Sequence, residues 1–109
     1  MTAVATELLP RVRDFISSEK KMLIGGEWVS AESGRTFETI DPATARPITS
    51  VAHGGAADID RAVRAARAAF DEGAWVRMKP NERERLLWRV GDILTERAEE
   101  FGQLEALDN

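Results

Sequence analysis

The side chains that could do chemistry in this sequence are few and scattered. His53 is the only histidine, and cysteine is absent. A thiolate nucleophile, a disulfide and a thiolate metal site therefore cannot be built from these residues. The acid nearest to His53 is Asp58, and a lone imidazole without a fixed partner reads as a loop histidine rather than a metal ligand or charge relay. Gly25-Gly26 and Gly54-Gly55 are paired glycines without the GxGxxG or GxxxxGK spacing that surrounds a phosphate with backbone N–H groups, so both read as turns. The run "ERERLLWR" could offer arginines to nucleic acid, but Glu82 and Glu84 cancel Arg83 and Arg85, which makes it a solvated helix face. Trp28, Trp75 and Trp88 could anchor a binding surface, and packing accounts for them equally well. No paired carboxylates and no nucleophile elbow occur.

Composition narrows the classes further. With 109 residues, 43% of them apolar and 31% charged, the chain is long enough for one small soluble domain and is not disordered throughout. The net charge of −4 provides no positive field for a phosphate backbone, so nucleic acid is not an expected partner. No apolar run is long enough to span a bilayer. Glu7, Asp14 and Glu19 in the first twenty residues, with no basic start, do not fit a secretory leader. No membrane association and a cytoplasmic location are the expectations.

The elements follow from periodicity and breakers. Leu8, Leu9, Val12, Phe15 and Ile16 predict a short helix over residues 7–16, with Pro10 tolerable only in its first turn. In "MLIGGEWVS" two short apolar runs flank Gly25-Gly26, which predicts a hairpin. "GRTFETI" alternates as a strand closed by Asp41-Pro42, and "PITSVAH" is a further strand. From Ala57, the residues Ile59, Ala62, Val63, Ala66, Ala69 and Phe70 recur at three and four, predicting a helix with Asp58 and Asp60 in its first turn and Gly73 just past its end. A second long helix opens near Pro80-Asn81 and runs on through Leu87, Val90, Leu94, Phe101 and Leu104, its other face Arg and Glu. By themselves, strands followed by helices suggest an α+β arrangement. Two broad apolar stripes and a few short strands leave much surface to cover, so the sequence reads as part of a larger layered structure.

Five pieces in order, "MLIGGEWV", "TFETIDPAT", "DIDRAVRAARAAF", "WVRMKPNERERLLWRVGDIL" and "LEALDN", resemble the N-terminal quarter or less of an NAD(P)-dependent aldehyde dehydrogenase. The resemblance runs from about Met22 to Asn109, which divides the chain into an N-terminal extension, 1–21, and a truncated part of a coenzyme-binding domain, 22–109. It implies an α/β fold in which the strands and two long helices belong to a Rossmann-type domain. The family has a glycine after its Pro-Ala-Thr turn; here Ala45 is followed by Arg46, which bears on the local turn geometry. Asp41-Pro42 and the extension are similar to members acting on arylacetaldehydes. In the family "LDN" is followed by Gly-Lys-Pro, so the chain's end looks like a truncation.

The implied activity is oxidation of an aldehyde to a carboxylic acid with NAD or NADP, through attack by a cysteine thiolate and hydrolysis of the thioester by glutamate-activated water. The catalytic cysteine and glutamate and the cofactor-binding segments would lie outside these residues, so the isolated chain is expected to bind no cofactor and to be inactive. The resemblance also implies a structural monovalent cation, Na+ or K+, held by Thr39, Ile40 and Asp108 with a ligand from later in the chain; oxygen donors suit a hard cation. Without that ligand, Thr39 and Ile40 are ordinary strand residues and Asp108 ends a helix. The implied partners are the remainder of the enzyme chain and further copies in a dimer or tetramer. The alternative is a noncatalytic truncated homologue acting as a protein-binding module.

Overall fold

The computed structural model of the chain describes residues 7–109. The first element, α1, is Pro10–Ile16 rather than a helix from residue 7, and the reason is local. Pro10 takes the first helical position, where its missing N–H costs nothing, and its ring pushes the preceding residue out of the helical region. Leu9 accordingly sits at φ −55°, ψ 144° as the N-cap.

The hairpin expected at the paired glycines is present. Strands β1, Met22–Ile24, and β2, Glu27–Val29, pair antiparallel with Leu23 opposite Trp28. Gly25 and Gly26 have φ of 62° and 85°, the pair of positive values that a tight two-residue hairpin turn of this hand demands. A second ribbon joins β3, Thr36–Asp41, to β4, Arg46–Ala52. Its register runs from Thr36–Ala52 to Thr39–Thr49 and then shifts, so that Ile40 faces Pro47 and Ile48 is the extra residue of a bulge. The connecting turn is built by Asp41. Its carboxylate accepts the Ala43 N–H at 2.8 Å and the Thr44 hydroxyl at 2.7 Å, and its carbonyl accepts the Ala45 N–H at 2.8 Å. Ala45 closes that turn with φ 56°, the left-handed region in which a side chain is unfavourable. Lys20 ties the segment after α1 to the second ribbon: its N–H donates to the Ser50 carbonyl at 2.7 Å, and its carbonyl accepts the Ala52 N–H at 2.8 Å.

Four helices complete the chain: α2, Ala56–Glu72; α3, Ala74–Arg77; α4, Pro80–Glu96; and α5, Ala98–Asp108. At Gly73 the backbone turns extended and ends α2, and glycine is needed there because a Cβ would lie 2.2 Å from the Ala69 carbonyl oxygen. The helix expected to run unbroken from Pro80 is instead two, divided at Arg97 with φ −115° and ψ 21°. The division has a packing cause. It turns α5 onto α1, where Glu100 becomes buried against the Arg97 guanidinium, and the Gln103 side-chain oxygen accepts the Leu9 N–H at 2.8 Å.

The apolar core is small. Val12, Ala31 and Ala52 are buried, while most of the large apolar side chains on α2 and α4 are not. The radius of gyration is 17.7 Å, against about 13 Å for a compact domain of this length.

Candidate functional site

The residues singled out for a cation fall at the junction of three elements. Thr39 on β3 and Asp108 at the end of α5 line one cavity, about 260 Å³, whose apolar walls include Phe15 from α1 and Leu104 and Leu107 from α5. The side chain of Ile40 is not among the lining residues. Ile40 pairs with Pro47 beside the bulge at Ile48. Thr39 directs its hydroxyl to the Thr49 carbonyl at 3.4 Å. One positive charge also lines the cavity: Lys20, whose ammonium donates to the Phe15 carbonyl and to the Ser18 hydroxyl. Among the described residues no group of three His, Cys, Asp or Glu side chains is placed to hold a metal. His53 is exposed and sits edge-on to Phe37 with ring centroids 5.9 Å apart.

A second cluster escaped the sequence reading. Asp58, 1% exposed, accepts the Gly55 N–H at 2.9 Å and the Glu32 N–H at 3.1 Å, and pairs with Arg61 one turn along α2. The Gly55 N–H, then Arg61, hold its carboxyl below the ordinary aspartate range against the upward push of burial, and the Glu32 N–H adds to the same effect. The acid three residues after the N-cap is a recognisable signal for the Gly55 bond; nothing local announces Glu32. Glu100 is the counterpart on α5. Arg97 lowers its pKa and Arg11 of α1 adds a smaller attraction.

A model described as the aldehyde dehydrogenase family matches residues 28–109. The chain belongs to the aldehyde dehydrogenase family. Among curated aldehyde dehydrogenases, family 2 member B4 of Arabidopsis thaliana, mitochondrial by name, is 49% identical over 92 residues, which are 84% of this chain and 17% of that one. A benzaldehyde dehydrogenase of Antirrhinum majus, also mitochondrial by name, is 43% identical over 109 residues, covering 99% of this chain and 20% of that one. The NAD+ complex of the Bacillus cereus aldehyde dehydrogenase superposes with a TM-score of 0.90 at 48% identity, over 94% of this chain and 21% of that one. The chain thus has the mixed helix and strand fold of the N-terminal portion of this oxidoreductase family, and it spans about a fifth of the length of the aldehyde dehydrogenases it matches.

Proposed function

We propose that these residues are the opening part of an NAD(P)-dependent aldehyde dehydrogenase that oxidises an aldehyde to a carboxylic acid. The observation that carries this is the 0.90 superposition at 48% identity on a chain solved with NAD+. In this reading residues 22–109 belong to the coenzyme-binding domain, and 1–21 is an extension whose helix packs against α5. The paired glycines form turns without phosphate-binding spacing, so the nicotinamide cofactor, which accepts the hydride, is held by segments outside these residues. So are the cysteine and the glutamate. What this chain contributes is the outer wall of the domain and the α1–α5 corner.

The same reading gives Thr39, Ile40 and Asp108 a monovalent cation, Na+ or K+, with further ligands from the rest of the enzyme. The donor set fits a hard ion: one carboxylate and the oxygens beside a bulge. Lys20 lines the same cavity and donates to the neutral Phe15 carbonyl and Ser18 hydroxyl. Its positive charge therefore opposes the ion, and the further ligands from the rest of the enzyme must outweigh it. The enzyme is a homo-oligomer in the cytoplasm; no helix among the described residues is long and apolar enough to cross a membrane.

Replacing the matching segment of the Bacillus cereus enzyme with these residues tests the proposal. The expected outcome is aldehyde-dependent reduction of NAD+ or NADP+ by the chimera and none by the 109-residue chain alone. A folded chimera without turnover, or turnover by the chain alone, sinks it. In the active chimera, Asp108→Asn is expected to weaken monovalent-cation binding, read by sodium NMR line width, about tenfold. The uncovered apolar side chains of α2 and α4 also favour a second reading, a noncatalytic homologue that binds an aldehyde dehydrogenase subunit. It requires saturable binding to the intact enzyme.

A further inference from the structure

Lys20 belongs to the walls of two cavities. One is the cavity of about 260 Å³ that also holds Thr39 and Asp108, with Phe15, Thr49 and Val51 among its walls. The other, about 350 Å³, is lined by Phe15, Glu19, Lys20, Lys21 and Trp28. Phe15 is shared by both, and the Lys20 ammonium lies over its ring, 3.9 Å from the centroid.

The main chain of Lys20 is fixed and its side chain is not. Its backbone bridges to Val51 in parallel register, donating to the Ser50 carbonyl at 2.7 Å and accepting the Ala52 N–H at 2.8 Å. The half-buried ammonium donates to the Phe15 carbonyl and, at 3.1 Å, to the Ser18 hydroxyl. Both acceptors are neutral, and none of the ion pairs among the described residues includes Lys20. Contacts of this kind are each of modest net strength, so the ammonium is the part of this wall that is able to move.

Charge decides when it moves. Of this chain's own groups the first cavity has one carboxylate, Asp108, and one ammonium, Lys20. A cavity of about 260 Å³ is about 8 Å across, and a second positive charge at that separation, in an effective dielectric of about 20, weakens binding of a monovalent ion about tenfold or more. The second cavity relieves that repulsion. Glu19, Lys21 and Trp28 are all exposed there, so the charges of Glu19 and Lys21 offset one another in water, and an ammonium on its flexible stem regains hydration while lying on the Trp28 ring.

We infer that the Lys20 ammonium and a monovalent metal cation exchange in the Thr39–Asp108 cavity: Lys20 supplies the positive charge when no ion is bound and swings to the Trp28 side when one enters. This rests on the cation reading given under Proposed function and adds to it a residue that sets the affinity without ligating the ion. A Lys20 that stayed in place would leave two positive charges against one carboxylate in a partly desolvated space.

The chimera of the Bacillus cereus enzyme carrying these residues provides the test, because it supplies the ligands that lie outside them. Sodium binding is followed by NMR line width, with ionic strength held constant by choline chloride. Lys20→Met keeps the apolar stem against Phe15 and should bind sodium about tenfold or more tighter than the parent. Lys20→Arg keeps the charge and should stay within about threefold of the parent. In the parent, acetylation of Lys20 by an amine-reactive reagent, read by peptide mass spectrometry, should quicken severalfold when sodium replaces choline, while that of the exposed Lys79 should not. Parent and Lys20→Met affinities within about threefold of each other overturn the exchange and leave the cation reading in place. Acetylation of Lys20 that ignores sodium also overturns it, because the charge then acts without moving. Sodium binding by neither protein sinks the cation reading and the exchange with it. If Lys20→Met fails to fold, Lys20→Gln carries the same comparison, and the acetylation of the parent decides without any variant.

Discussion

Asp58 and Phe70 stand on the same helix and are treated in opposite ways. The carboxylate is 1% exposed and the aromatic ring 69%, the reverse of what either side chain prefers in isolation. The difference lies in how far each must reach for satisfaction. A carboxylate needs a few donors, and Gly55, Glu32 and Arg61 bring them within one corner of the chain. An aromatic ring needs a whole layer laid across it, and the described residues leave Phe70 without one. The helix therefore satisfies its buried carboxylate within this chain and leaves its apolar ring open.

Asp58→Ala should break that comparison hardest. It strands the Gly55 and Glu32 N–H groups, and a lost buried acceptor costs the desolvation of each donor it served. The expected result is a melting temperature lower by on the order of 10 °C, with fast hydrogen exchange at both amides. An unchanged melting temperature would mean the corner is water-filled rather than closed. The pH dependence has a definite sign. Because the folded-state pKa of Asp58 lies below the ordinary 3.8, its contribution is present above that value and disappears as pH falls through the folded pKa. Asp41 and Glu100 are shifted in the same direction. Urea midpoints should therefore fall below about pH 4, and Asp58→Asn should flatten part of that fall. A midpoint that rises on acidification would contradict all three assignments.

The α1–α5 corner makes a second, milder contrast with the open faces. There Val12 is fully buried and Gln103 accepts the Leu9 N–H. Gln103→Ala removes one neutral hydrogen bond and should cost about 1 kcal/mol, read by urea unfolding, with exchange at Leu9 rising in step. A loss confined to the Leu9 amide, with the midpoint unmoved, would show that α1 opens independently of the rest.

What the sequence disclosed follows the same division between short and long reach. Gly25-Gly26 and Gly73 act on their own neighbours, so the hairpin and the end of α2 were legible, whereas the apolar spacing of Leu8 and Leu9 carried the reading of α1 back to residue 7 although Pro10 opens it. The break at Arg97 was not, since no glycine or proline marks it and its cause is the docking of Glu100 and Gln103 on α1. Asp58 was legible as a first-turn acid and illegible as a partner of Glu32, 26 positions away. Thr39, Ile40 and Asp108 were singled out through a family resemblance, and it is the packing of α5 against β3 that sets Thr39 and Asp108 on one cavity.

Ala45 offers a stabilising change of similar size. The resemblance marked it as a departure from a family glycine, and its φ of 56° shows what the departure costs. Ala45→Gly relieves the left-handed strain at the expense of a more flexible unfolded chain, a net gain of about 0.5–1 kcal/mol. A loss on the same substitution would mean that the Asp41 bonds to Ala43 and Thr44 already hold the turn without strain at Ala45.

The smallest expected effect carries the most weight for the comparison. A buried phenylalanine cut to alanine costs about 3–5 kcal/mol because atoms leave a packed layer and a cavity remains. Phe70 has no such layer in the isolated chain, so Phe70→Ala there should shift stability by no more than about 0.5 kcal/mol, while in the covalent chimera it should approach the full core value. The ratio between the two settings measures how much of the ring the remaining chain covers. Equal, large losses in both would place a partner on Phe70 within these 109 residues. Equal, small losses would leave the ring in water even in the complete enzyme.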